Sequence, residues 1–280
     1  MNMGTSHPAA DLATLRWLIE LGADEAIGDS AINRYELPTK PAARAVHAGS
    51  EPPSIGPGQP NPQPGGTAPI TAPLHAIQPD ASLMAAELAA GCMTLEALQR
   101  AVEGFEGCAL KKGARNTVFS DGNPAADLMI IGEAPGRDED LVGKPFVGAS
   151  GQLLDKMLAA IGIARGSTDA ASACYITHVL PWRPPQNLDP SGDEVAIMLP
   201  FLRRHIELAN PKVLVLLGNA PARVLLNTAQ SITKLRGQWA DVMGRPALAM
   251  LDPDGLLRNP INKRFAWADL LALQARMKEF

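Results

Sequence analysis

Four short apolar runs, at 128–133, 174–180, 213–218 and 247–251, recur through the second half of this 280-residue chain, and helical patterns separate them. Residues 151–163 and 193–208 read as amphipathic helices, Asn219–Leu226 as a shorter one, and Lys263–Met277 as the closing one. A half-exposed strand alternates apolar and polar residues, whereas a strand covered on both faces is apolar throughout. The pattern therefore predicts an α/β fold, a three-layer α/β/α sandwich with a four-stranded, mostly parallel central sheet. Ligands of such sheets bind outside the carboxyl ends of the strands. That rule directs attention to 132–136, 178–185, 218–220 and 252–260.

The first third of the chain has a different character. Residues 1–35 read as an N-terminal helical segment, in which Leu12, Leu15, Leu18, Ile19 and Leu21 would fall on one side and Gly22 would stop the helix. Residues 36–79 hold nearly half of all the prolines and few large apolar side chains, as in EPPSIGPGQPNPQPGGTAP. They read as a disordered linker, unable to bury enough surface to fold. A lead-in helix is expected over 80–104, followed by the main domain at 105–280.

Charge divides the same way. Residues 1–104 carry 5 Lys/Arg against 11 Asp/Glu, and residues 105–280 carry 20 against 18. The main domain is thus mildly basic within an acidic chain, which permits a polyanion partner. Three cysteines, far apart and odd in number, suit free thiols in a reducing compartment. With no secretory pattern and no membrane-spanning stretch, the expectation is a cytoplasmic monomer.

The loop after the first run reads GEAPGRDEDLVGKPFVG. It matches neither the phosphate-cradling G-x-x-x-x-G-K-[ST] pattern nor the dinucleotide G-x-G-x-x-G pattern. Glu133, Asp138, Glu139 and Asp140 would repel phosphate, and no nearby His or Cys completes a metal set with them. The Asp-Glu-Asp run reads as a solvated helix start. What remains is a tight turn of exposed backbone with Phe146 arriving behind a rigid Pro145. A ring beside backbone donors and acceptors suits a planar heterocycle.

G-E-A-P-G followed by E-D-x-x-G-x-P-F-V-G-x-S-G-x-L-L resembles the first motif of the uracil-DNA glycosylase superfamily, in its family 4 branch. The resemblance continues through YIT at 175–177, W-R-P-P at 182–185, PKVLVLLG, ITKLRGQW and LLRNP. It implies a hydrolase of base-excision repair that cleaves the N-glycosidic bond of uracil, or another deaminated base, in DNA. It also implies that Phe146 stacks on a flipped-out base while the turn at Gly132, Glu133, Ala134 and Pro135 touches the base edge. Glu133 would then handle the attacking water, and Leu256, Leu257 and Arg258 would press into the DNA. The partner is DNA containing a damaged base, with the N-terminal helix available to a repair protein.

Three departures from the family pattern stand out. His178 occupies the strand end where the branch has a base-reading asparagine, and Asp252 stands where the second motif begins with histidine. Relatives in the branch hold an iron–sulfur cluster through four cysteines. Here only Cys108 falls on such a position, while Phe105, Trp182 and Met198 occupy the others, and one thiol cannot hold a cluster. No cofactor is expected. An ionised Asp252 near a departing base anion carries the wrong sign. Two readings follow: a rebuilt pocket in which His178 is the electrophile and Asp252 or Glu133 the water-side group, or a homologue that binds DNA or a flipped base without cleaving.

Overall fold

The structure is a computed structural model that describes residues 79–187 and 190–280; the N-terminal helix and almost all of the linker expected from the sequence lie outside the described residues. The lead-in segment forms two helices in place of the expected one, α1 (Pro79–Gly91) and α2 (Leu95–Gly104). Between them Thr94 adopts an extended backbone and its hydroxyl accepts the Ala97 N–H at 3.2 Å. That side-chain cap starts a new helix and forces the break.

The strands are β1 (Ser120–Gly122), β2 (Leu128–Gly132), β3 (Cys174–His178), β4 (Val213–Leu217), β5 (Trp239–Val242) and β6 (Arg245–Met250). Between β2 and β3 come α3 (Arg137–Val142) and α4 (Gly148–Ala159), and α5 (Gly192–Ala209) precedes β4. Then follow α6 (Asn219–Leu226) and α7 (Ile232–Leu235), and after β6 come α8 (Pro253–Arg258) and α9 (Lys263–Met277).

Among the described residues, all six strands join one sheet in the order β1-β3-β2-β4-β6-β5. The four apolar runs are its parallel centre, and β1 and β5 add antiparallel edges. The expected strand number of four is therefore corrected to six. The edges leave no apolar signature in the sequence because they are short and only partly buried, Ser120–Gly122 carrying no apolar side chain at all. The layering is as expected.

Period-two alternation divides each central strand between two cores. Met129, Ile131, Tyr175, Leu214, Leu216, Ala247 and Ala249 join one cluster with residues of α1, α2 and α5. Leu128, Ile130, Ile176, Val213, Val215, Leu248 and Met250 join the other with Leu154 and Leu158 of α4 and Leu270 and Leu273 of α9. Phe105, Cys108, Trp182 and Met198, at the positions the resemblance associates with metal ligands, are all at most 2% exposed and share the first cluster. Burial pushes the Cys108 thiol above its ordinary range, and Trp182 Nε1 donates to Thr117 Oγ1 at 3.0 Å. An indole, a phenyl ring and a thioether beside one protonated thiol do not fit an iron–sulfur cluster.

Candidate active site

Parallel pairing places the strand ends side by side. Gly132 of β2 is level with His178 of β3, and Leu217 of β4 is level with Met250 of β6. Hydrogen bonds carry the alignment into the loops: Val179 N donates to Gly132 O at 2.8 Å, Leu180 N to Glu133 O at 3.1 Å, and Gly218 N to Met250 O at 3.0 Å. Above these ends lies a cavity of about 630 Å³, lined among others by Glu133, Pro135, Phe146, His178, Asp252 and Leu257. The sequence-derived strand ends thus converge on one site.

Glu133 and Asp252 meet on one side of it. A Cβ added at Gly218 would lie 3.5 Å from Asp252 Cβ and 3.7 Å from Glu133 Oε2, so the two acids flank the same glycine. Glu133 Oε2 accepts the Ala220 N–H at 3.2 Å, at the N-terminus of α6, where helix dipole and free N–H groups favour a negative charge. Asp252 is the N-cap of α8, its Oδ2 accepting the Gly255 N–H at 3.2 Å, with Pro253 opening the helix. Burial pushes the Asp252 carboxyl up to about 6, against the Gly255 hydrogen bond and with the charges of Asp254 and Glu133 adding to it. One of the two acids therefore keeps its proton up to about pH 6, above the ordinary carboxylate range.

Phe146 and His178 form another wall. Phe146 has φ 49°, a left-handed backbone that costs a bulky residue energy. Its N–H donates to Glu139 Oε1, and Glu139 Oε2 accepts from Gly136 N. His178 Nε2 lies 3.1 Å from the same Glu139 carboxylate, and its ring centroid is 5.0 Å from that of Phe146. Burial pushes the Glu139 carboxyl up, but its bonds to His178 and to the two backbone N–H groups outweigh that and leave it below the usual carboxylate range. Gly132 is obligatory beneath this wall: a Cβ there would stand 2.5 Å from His178 Nδ1 and 2.7 Å from the Phe146 ring.

This arrangement bears on three expectations. Glu139 and Asp140 are buried, not a solvated helix start. Asp140 Oδ1 accepts from Arg115 N at 2.8 Å, while Glu139 organises the wall. The signal for Glu139 was present as a carboxylate three residues after Gly136, the spacing at which a side chain reaches back to the start of its helix. His178 takes Glu139 as its partner, and its side chain is 2% exposed with Nδ1 buried and unpartnered. Finally, the segment after β6 is a helix, and Leu256, expected against the DNA, is fully buried in it. Leu256 anchors α8 from below, leaving Leu257 and Arg258 exposed, with Arg258 paired to Asp254.

The chain is similar to known proteins over this region. The profile of the uracil DNA glycosylase superfamily matches residues 119–271. The type-4 uracil-DNA glycosylase of Archaeoglobus fulgidus is 40% identical over 153 residues, which cover 53% of this chain and 74% of that protein. That of Pyrobaculum aerophilum is 36% identical over 152 residues, 54% of this chain and 71% of the relative. That of Thermotoga maritima is 35% identical over 171 residues, 60% of this chain and 86% of the relative.

Proposed function

This chain belongs to the uracil DNA glycosylase superfamily, and on that premise we propose that it hydrolyses the N-glycosidic bond of uracil in DNA after flipping the nucleotide out of the strand. The carrying observation is that Glu133 just after β2, Phe146 in the loop between α3 and α4, and Asp252 after β6 line one cavity. Cleavage leaves a base anion and an electron-poor sugar, so the site needs a hydrogen-bond donor at a base oxygen and a carboxylate to align water.

Glu133 is the water-side group. Ala220 N–H holds one of its oxygens, and the flanking Gly218 leaves space beside it. Asp252 is the donor at the base. With its carboxyl near 6, it offers an O–H below that pH and a repelling charge above it. Phe146 and the turn at Gly132, Ala134 and Pro135 make the slot for the base. His178, bound to Glu139, supports Phe146 from behind. Leu257 and Arg258 are the groups of α8 that meet the DNA.

The place of Asp252 in the cavity, ionised above pH ~6, favours a second reading, a homologue that holds a flipped base without releasing it, because an ionised acid opposes departure of an anion. Single-turnover cleavage of uracil DNA across pH separates the two. The expected rate falls above pH ~6 as Asp252 ionises, and Asp252→Asn removes that limb because an amide does not titrate. Glu133→Gln lowers the rate by about a hundredfold or more. No cleavage at any pH, with uracil DNA still bound, would select the second reading.

A further inference from the structure

Behind the Phe146 wall, outside the cavity, sits a cation that the reaction has not used. Arg165 lies in the loop after α4, its side chain 16% exposed. A guanidinium has five N–H donors, and all five are engaged here. Nε and Nη2 donate to Asp155 Oδ1 at 3.1 and 3.0 Å, and Nη1 donates to Asp121 Oδ2 at 3.0 Å. The remaining two go to consecutive backbone carbonyls: Nη1 to Pro145 O at 2.8 Å and Nη2 to Phe146 O at 3.0 Å.

Those carbonyls flank the residue with the left-handed backbone. A strained φ persists only where its surroundings hold it on every side. Glu139 holds the Phe146 N–H, Gly151 approaches so closely that a Cβ there would stand 1.7 Å from Phe146 O, and Arg165 grips both carbonyls. The two aspartates in turn prevent the guanidinium from rotating away. Lysine, with three donors on a point charge, cannot reproduce the fork.

We propose that Arg165 is a positioning residue for base excision, acting through Phe146: by clamping the Pro145 and Phe146 carbonyls it holds the ring in the plane on which the flipped base stacks. The inference rests on the reading of Phe146 as the stacking wall. When the clamp is removed, Phe146 relaxes toward an ordinary φ and the ring leaves the base plane, while the surfaces that meet the DNA backbone are untouched.

The test is single-turnover cleavage of labelled uracil DNA by the full chain as wild type, Phe146→Ala, Arg165→Ala, Arg165→Lys and the Phe146→Ala/Arg165→Ala double variant, each with its melting temperature. Both Arg165 variants are expected to lower the rate at saturating enzyme by about tenfold or more. The half-saturating concentration should stay at the wild-type value and the cleavage should run to full amplitude. A merely destabilised protein would lose amplitude instead. The double variant should be no slower than Phe146→Ala, since Arg165 acts only through that ring. If Arg165→Ala fails to fold, Arg165→Lys carries the comparison. Arg165 variants as fast as wild type beside a slow Phe146→Ala, or effects that multiply in the double variant, would overturn the positioning role alone. Wild-type rates in Phe146→Ala would overturn the stacking reading and this inference with it.

Discussion

Replacing Asp252 by Asn should make the protein more stable, and by an amount that depends on pH in a calculable way. The Asp252 carboxyl moves from an ordinary 3.8 to about 6 on folding, chiefly through burial. Between those values the native state keeps a proton that the unfolded chain has released, so stability falls as pH rises through the interval. Above pH ~6 both states are ionised and the full penalty is present. A shift of that size corresponds to about 3 kcal/mol, since each unit is worth about 1.4 kcal/mol. It is an upper bound, because water in the cavity solvates part of the charge. Asn has the same shape, keeps an oxygen for the Gly255 N–H cap, and does not titrate. Its advantage over wild type should be near zero at pH 3.5 and approach about 3 kcal/mol by pH 7. For a domain of this size that raises Tm by on the order of 5–10 °C. Urea unfolding of both proteins at half-unit pH steps measures the difference directly. An advantage equal at pH 4 and pH 7, or a loss at every pH, would refute the assignment of the penalty to a buried Asp252 charge.

Glu139→Ala should act in the opposite sense. The folded carboxyl lies below 4.5, so its contribution is present above that pH and disappears as pH falls through the folded value. With two backbone N–H groups and His178 left without an acceptor, the loss at pH 7 should be about 3 kcal/mol or more, shrinking in acid, as denaturant titration would read. Leu257→Ala should slow cleavage of uracil in duplex DNA by about tenfold while sparing single-stranded DNA, because an exposed apolar wedge is needed only where a stack must be opened. Equal losses on both substrates in the same assay would remove Leu257 from that role.

Much of the architecture was legible without coordinates. The four central strands were visible because each is largely apolar, and such runs between amphipathic helices leave little but a covered parallel sheet. The location of the site followed as well, since parallel strands end together and their loops must share a rim. The edge strands were not legible: Ser120–Gly122 pairs with β3 through backbone groups that leave no mark in side-chain periodicity.

What the side chains do in the site was decided in three dimensions. Glu139 sits among acids that look solvent-facing, and only the fold of α3 against β3 turns it inward to receive Gly136, Phe146 and His178 together. The sequence marks Asp252 as a departure from the motif but not its protonation; β6 delivers it beside Glu133 under cover, where burial and a like charge raise its carboxyl. Leu256 and Leu257 are neighbours in one motif, yet helix geometry sends the first into the core and the second outward. A sequence determines local pattern, because apolar spacing and turn chemistry act between near neighbours. Protonation, partner choice and exposure belong to the tertiary structure, because they depend on which distant groups share a low-dielectric space.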